Sequence, residues 1–460
     1  MKLMNMHRQI VLSLIAVLMA SCNGTTNCST CGPKSANLLG SVTGLVGFRL
    51  ALQNGTTALN VSLNGTGANG SGIKFGTAPF NSNYNITVSA QPTDPSQTCV
   101  VANGAGSTGN SDVTNIAVTC TTNAPRFLYV ANRGAGNVSG FALNSSSGAL
   151  TPITGSPFAT GSNPVSMAVD PTGSYAYVVN QLSGNISAFT INRTTGALVG
   201  VTGSPYGTPA NPTSVAIDPS SSFVFVTSAT AGSVSVYTIT AATGALVPLA
   251  GSQLATGPTP SAVIVDPLGQ FAYIANQGSG TFSALSIDPT GLLSNAMGSP
   301  FASGVSPKAL ALDPTDHILY VANANANALS AIGGLPVSTT SSVAPITGSP
   351  YVTGNVPTSI AVGPASNVLY VANQGTNNVS GFKIGGTAGT LTALPNSPYV
   401  AGMLPSAVAI DPTGRFVYVA NSGANTLSSY AVDPTTNALT ALSTSPTSTG
   451  LGPAAIAISE

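Results

Sequence analysis

The stretch Tyr418–Gly423 reads YVANSG, and the chain writes it repeatedly: YVANRG at 129–134, YVVNQL at 177–182, YIANQG at 273–278, YVANAN at 320–325 and YVANQG at 370–375. The asparagines Asn132, Asn180, Asn276, Asn323, Asn373 and Asn421 mark a period, and Asn132 and Asn180 stand 48 residues apart. A second series keeps the same step: Pro164, Pro212, Pro260, Pro307, Pro357, Pro405 and Pro453. Between two such prolines lie four short β-type runs, of the forms SVAID, FVYVAN, SVSVYTI and GALTPI, joined by turn residues. Four strands in about 40–50 residues without a helical period are the mark of propeller blades. A β-sandwich needs no such fixed step.

The ends supply the blade count. The FVYVAN-type strand occurs seven times, first at 127–132, and the SVAID-type strand also seven times, last at 453–459. The first blade therefore lacks its inner strand, and the C-terminus holds one over. Pairing the two closes a seven-bladed ring and removes a sheet edge. Inner strands such as Val215-Ala216-Ile217 and Val408-Ala409-Ile410 alternate large and small, and they are expected to be buried on both faces. The Asp-Pro-Thr-Gly turns at 170–173 and 411–414 suit Asp for bonding the backbone ahead, Pro for a preset φ and Gly for a left-handed one.

Composition agrees with an all-β protein. Apolar residues make up 43% of the 460 and charged residues only 5%, against about 25% charged in ordinary globular domains. Formal net charge is zero and no basic block exists, so no nucleic-acid partner is expected. Residues 1–22 read as a signal: Lys2 and Arg8 precede the ten-residue apolar run IVLSLIAVLM, too short to span a bilayer. Ala20-Ser21-Cys22 follows and resembles a bacterial lipobox. That resemblance implies lipidation at Cys22 and a membrane attachment. With Asn23 rather than Asp next, it implies the outer membrane or cell surface. An ordinary signal peptide of a periplasmic or secreted protein is the other reading. Residues 23–37 read as a polar tether. Residues 38–122 read as a small β-sandwich-like domain, with runs such as LVGFRLAL, YNITVSA and VTNIAVTC. The propeller occupies 125–460. Cys99 and Cys120 flank a hairpin-like segment and are expected to pair in an oxidising compartment. Cys28 and Cys31 suit a small local disulfide.

YVAN preceded by SVAIDPTG and followed by TGAL resembles the YVTN-type β-propeller repeats and the lactonase-family propellers, which include bacterial 6-phosphogluconolactonase. The resemblance covers about residues 125–460. It implies a seven-bladed fold and, in catalytic members, lactone hydrolysis by ionisable His, Arg and Glu side chains near the central channel. This chain departs from that set: its only glutamate is Glu460, and its only histidine beyond the leader is His317. His317 falls by register in the turn after an inner strand, opposite the YVAN loops. No catalytic residue of the family can be placed.

Asp170, Asp218, Asp266, Asp313 and Asp411 all occupy one turn position, and Asp288 and Asp433 share a second. A catalytic base occurs once, whereas a turn cap occurs in every blade. No His/Cys/Asp/Glu set has metal spacing, so neither a metal nor a cofactor is expected. Candidates for function are departures from the repeat on the face formed by the YVAN loops. Arg133 stands where other blades have Gln or Ser, Lys308 follows an opening proline where other residues are small, and Thr227-Ser228 replaces Ala-Asn. Arg133 and Lys308 are ligand-binding candidates for an anion. Asn132, Asn180 and Asn276 of the repeated phrase are candidates too, against their reading as caps of the turn. Phe158, Tyr206, Phe301, Tyr351 and Tyr399 follow Ser-Pro on that face and are read as packing groups. The expectation is a monomeric, non-enzymatic envelope lipoprotein whose propeller binds a protein or glycan. The alternative is a hydrolase of sugar lactones.

Overall fold

The computed structural model describes residues 35–459 apart from 60–62, 64–67, 94–96, 124–125, 314–317, 334–342, 365–366 and 386–388. The leader with Cys22, the pair Cys28 and Cys31, His317 and Glu460 therefore lie outside the described residues. Every described element is a strand or a turn, and no α-helix occurs among them.

Residues Ser35–Thr43 open the first sheet, so the stretch read as a tether gives its last three residues to a strand. That strand runs antiparallel to Gly70–Pro79 and parallel to Val113–Thr122, with Gln97–Ala102 beyond. A second four-stranded sheet pairs Ala51–Asn54, Thr57–Ala58, Asn83–Ala90 and Ala105–Ser107. Leu38, Phe75 and Val118 of the first sheet meet Leu52, Leu63 and Ile86 of the second in one core. Cys99 and Cys120 lie directly opposite on neighbouring strands and are joined by a disulfide, Cα to Cα 4.0 Å.

Seven five-stranded sheets follow. Blades are numbered here by their FVYVAN-type second strand, from Phe127–Asn132 in blade one to Phe416–Asn421 in blade seven. Blades two to seven each begin with their own inner strand, Pro164–Val169 in blade two for example. Blade one takes Pro453–Ser459, which pairs antiparallel with Phe127–Asn132 in the register Ala457 to Tyr129. The closure expected from the strand count is present.

The core is a set of seven clusters, each between adjacent blades. In blade one, Phe127, Tyr129 and Ala131 pack toward blade two, while Leu128 and Val130 pack toward blade seven. The second strand is thus buried on both faces, fully so in blades one, five, six and seven. The inner strand is not. Pro212–Ile217 and its equivalents in blades two, four and six are buried only at the proline and the central residue and half-buried elsewhere. This corrects the expectation of doubly buried inner strands, and the reason is the central channel they line. Their small/large alternation suits crowding about an axis.

A polar clamp repeats across the blade junctions. Tyr129 Oη donates to Gly196 O at 2.8 Å, Tyr177 to Gly244 O at 2.9 Å, Tyr320 to Gly389 O at 3.1 Å and Tyr370 to Asn437 O at 2.6 Å. Each acceptor belongs to the outer turn of the next blade. Tyr418 Oη reaches Gly148 O of blade one at 2.9 Å, so the clamp crosses the closure too. Blade three has Phe225 in this column, which packs but cannot donate. On the far side, Asp170 Oδ1 accepts the N–H groups of Ser174 and Tyr175, and Asp411 Oδ1 those of Arg415 and Phe416. Asp288 and Asp433 likewise accept backbone N–H groups within their own turns.

Removing the clamp at the closure leaves a buried carbonyl unpaired. Tyr418→Phe is expected to lower stability by about 1–3 kcal/mol, measured by denaturant unfolding. Burial raises the pKa of Tyr129, Tyr177, Tyr273, Tyr370 and Tyr418 well above 10.0, and pushes Tyr237 up to about 12. The unfolded chain loses these protons first, so above about pH 10 it binds fewer protons than the folded chain. Stability is expected to be unaffected by these groups below that pH and to fall progressively above it. Ultraviolet titration of tyrosinate beside denaturation at several alkaline pH values checks this.

Candidate functional site

The face holding the YVAN loops is organised by one backbone bond per blade. The residue after the second strand donates its N–H to the carbonyl just before the opening proline: Gln181 to Asn163 at 2.9 Å, Gln277 to Thr259 at 3.0 Å, Gln374 to Val356 at 2.9 Å and Arg133 to Gly452 at 2.8 Å. The accepting residue is left-handed throughout, with φ from 52° to 62°. Two loops distant in sequence are thereby fixed side by side around the channel mouth.

The asparagines lie beneath that mouth. Asn132, Asn180 and Asn276 are fully buried. Asn132 Nδ2 donates to Asn137 Oδ1 and Ser139 Oγ, both at 2.8 Å; Asn180 does the same to Asn185 and Ser187, and Asn276 to Thr281 and Ser283. Their side-chain donors are spent within the blade and none is presented to a ligand. Their donors serve as brackets of the corner between second and third strands. A glycine three residues before each opening proline packs against the bracket. A Cβ on Gly402 would stand 2.7 Å from Asn421 Cγ, and one on Gly450 2.7 Å from Asn132 Cγ. Where blade three has the smaller Ser228, Pro209 takes the glycine's place, and Ser228 Oγ donates to its carbonyl at 3.2 Å. The departure at Thr227-Ser228 is therefore a volume exchange between two columns of the repeat. Both residues are fully buried.

The residue after the opening proline forms a second ring. Thr213 Oγ1 donates to Pro260 O at 2.7 Å, Ser261 to Pro307 O at 2.9 Å, Thr358 to Pro405 O at 3.1 Å and Ser406 to Pro453 O at 2.7 Å. In blades three, four, six and seven these hydroxyls tie the inner strand to the next, a role that reading single blades does not reveal. Comparing the column across blades would have raised it. Blade five has Lys308 at this position, where blade two has Val165 and blade one Ala454. The Lys308 side chain keeps solvent contact while protein surrounds it, and desolvation lowers its pKa from 10.5, with the positive charge of Arg133 adding to the effect. Arg133 belongs to blade one, on the other side of the ring. The two departures from the repeat thus share the mouth face, near enough for their charges to repel, and neither side chain has a hydrogen-bonded or ion-paired partner among the described residues.

At the opposite end the channel widens into a cavity of about 530 Å³, lined by Ile217, Val265, Leu312, Val362, Ile410 and Ile458 with the Asp-Pro turns. Its carboxylates Asp170 and Asp411 are committed to those turns. No group of His, Cys, Asp and Glu that could hold a metal occurs among the described residues. Phe158 and Tyr206 of the Ser-Pro loops are half-buried and pair with the third strands of their own blades, as packing groups do.

The chain matches the family described as "Lactonase, 7-bladed beta-propeller" over residues 95–209, 247–334 and 335–456. No curated protein matches it. Among solved structures it is similar to a putative 6-phosphogluconolactonase from Bacteroides fragilis, at 20% identity and TM-score 0.63, covering 74% of this chain and 99% of that one. The Pseudomonas aeruginosa periplasmic gluconolactonase PpgL is similar at 18% identity and TM-score 0.61, covering 73% and 99%. Kuenenia stuttgartiensis hydrazine synthase is also similar, at 18% identity and TM-score 0.50, covering 66% and 91%. At these identities the likeness is one of fold, and a fold hosts many chemistries.

The bracket has a direct test. Gly402→Ala forces a Cβ against Asn421, and it is expected to destabilise by about 1–3 kcal/mol. The double variant Gly402→Ala with Asn421→Ser is expected to recover part of that loss, following blade three. Thermal unfolding of the three proteins decides it.

Proposed function

We propose, for a chain that belongs to the lactonase family of seven-bladed β-propellers, that it binds an anionic ligand at the channel mouth and does not turn it over. The ligand is a carboxylate- or phosphate-bearing glycan or sugar acid, free or on a partner molecule. The observation that carries this reading is the placing of Arg133 and Lys308, from blades one and five, on the same mouth face with no counter-charge among the described residues. Desolvation chiefly lowers the Lys308 pKa and repulsion from Arg133 adds to it, and an anion between the two cations relieves that repulsion. The leader and the lipobox-like Ala20-Ser21-Cys22 support an exported protein anchored by lipid at Cys22, acting as a monomer in the envelope.

Lactone hydrolysis is the second reading, favoured by the family. Arg133 and Lys308 suit an oxyanion, but activating water needs a base, and the channel carboxylates Asp170 and Asp411 are tied into turns.

Calorimetric titration with 6-phosphogluconate and gluconate tests binding. Arg133→Gln and Lys308→Gln are each expected to weaken it about ten- to a hundredfold, the loss of one charge-assisted bond of roughly 1.5–3 kcal/mol. Affinity is expected to hold near neutral pH and to fall as Lys308 loses its proton below pH 10.5. Unchanged affinity in both variants sinks the reading. Turnover of 6-phosphogluconolactone well above background, lost in both variants, installs the second one. Labelled palmitate incorporation that disappears in Cys22→Ala tests the anchor.

A further inference from the structure

The connections entering the blades are not alike. Each passes over the mouth and ends on the left-handed residue before the opening proline. Blades two, three and four carry Ser162-Asn163, Ala210-Asn211 and Pro258-Thr259 there. The next four connections carry large apolar side chains in solvent: Val305 into blade five, Val356 into blade six, Met403 and Leu404 into blade seven and Leu451 into blade one, from 37% to 61% exposed. On the same connections Val352 and Val400 are 82% and 83% exposed, where other blades have Ala, Gly, or Ser.

Two of these residues hold a conformation they disfavour. Val356 and Leu404 have φ of 52°, like Asn163 and Asn211 at 60°. Asn tolerates the left-handed region, whereas a β-branched or bulky residue there is a rare and strained choice. The fold uses only the backbone at this position: the carbonyls of Val356 and Leu404 accept from Gln374 and Ser422, and their N–H groups donate to Asn327 Oδ1 and Asn377 Oδ1, all of which Asn supplies at lower cost. Strain combined with exposed apolar surface marks a contact made with something else. The apolar arc also has its charges at its ends: Lys308 lies three residues after Val305, and Arg133 is bonded to Gly452, next to Leu451.

We propose that the mouth takes an amphiphilic anion, with a carboxylate or phosphate head between Arg133 and Lys308 and an apolar body laid outward over the connections 352–356 and 400–404. The inference rests on the anion-binding reading above and narrows its ligand from a sugar acid to an amphiphile. The two cations on one face, with no counter-charge among the described residues, call for one anionic head, and large apolar side chains on four successive connections call for one tail. The surface of a membrane carrying the protein's own N-terminus fits less well. Phe127–Asn132 runs from the end of the small domain at Thr122 toward the mouth, so the mouth faces away from that domain.

The test titrates the whole exported protein with inorganic phosphate, butyl phosphate, decyl phosphate and neutral decyl maltoside, all below micelle-forming concentrations. Affinity is expected to rise along the three phosphates, by up to roughly fourfold per buried methylene, with decyl maltoside not bound. Val356→Asn and Leu404→Asn, which copy blades two and three, are expected to flatten the chain-length series, leave inorganic phosphate binding unchanged and raise the unfolding midpoint. Equal affinity for all three phosphates overturns the inference while the anion-binding reading stands. Decyl phosphate and decyl maltoside binding alike, with no effect of Lys308→Gln or Arg133→Gln, overturns the anion-binding reading and the inference with it. Binding to phosphatidylglycerol vesicles without binding of monomeric decyl phosphate also overturns the inference, in favour of a lipid surface.

Discussion

Ring closure is the constraint on which everything else depends. Strand Pro453–Ser459 pairs with Phe127–Asn132 and gives blade one its inner strand. The same junction carries the apolar cluster of Leu128, Val130, Tyr418 and Leu427, the Tyr418 to Gly148 clamp, and two bonds from Arg415 to the carbonyls of Ser145 and Ser146. It also builds the site. Arg133 and Gly134 donate their N–H groups to Gly452 and Leu451, so the last strand holds the arginine over the channel. An open ring would leave an exposed sheet edge and Arg133 without Lys308 opposite.

The repeat separates two kinds of residue. Those that recur in most blades solve a local problem: Asp caps the far turn, Tyr clamps the next blade, Asn brackets the near corner and Gly makes room for it. Blade three shows how tightly these columns are coupled, since Ser228 and Pro209 change together. Residues that break the repeat without such a compensating partner have another reason to be there. Lys308 puts a charge in a column otherwise filled by Val165, Ala454 and four hydroxyl residues, and Val356 and Leu404 occupy a backbone conformation suited to Asn. All three surround the mouth.

Family membership fixes the scaffold and leaves the chemistry to the residues that line the channel. The scaffold is shared with proteins named for lactone hydrolysis and with one named for hydrazine synthesis. Here the described channel offers two cations at one end and an apolar cavity at the other, with its carboxylates engaged in turns.

The sequence by itself determined the blade count, the closure and the columns of the repeat, because each is a matter of period and of matching strands at the two ends. It also singled out Arg133 and Lys308, which stand out against six other copies of the same position. Which way a column faces was decided only by tertiary structure. The repeat favoured Asn132, Asn180 and Asn276 as turn caps over ligands, and their depth beneath the mouth came only from the fold. The inner strands read as fully buried until the ring left a channel along its axis. Arg133 and Lys308 are 175 residues apart (308 − 133), and only closure of seven wedge-shaped blades about one axis brings their charges within reach of each other.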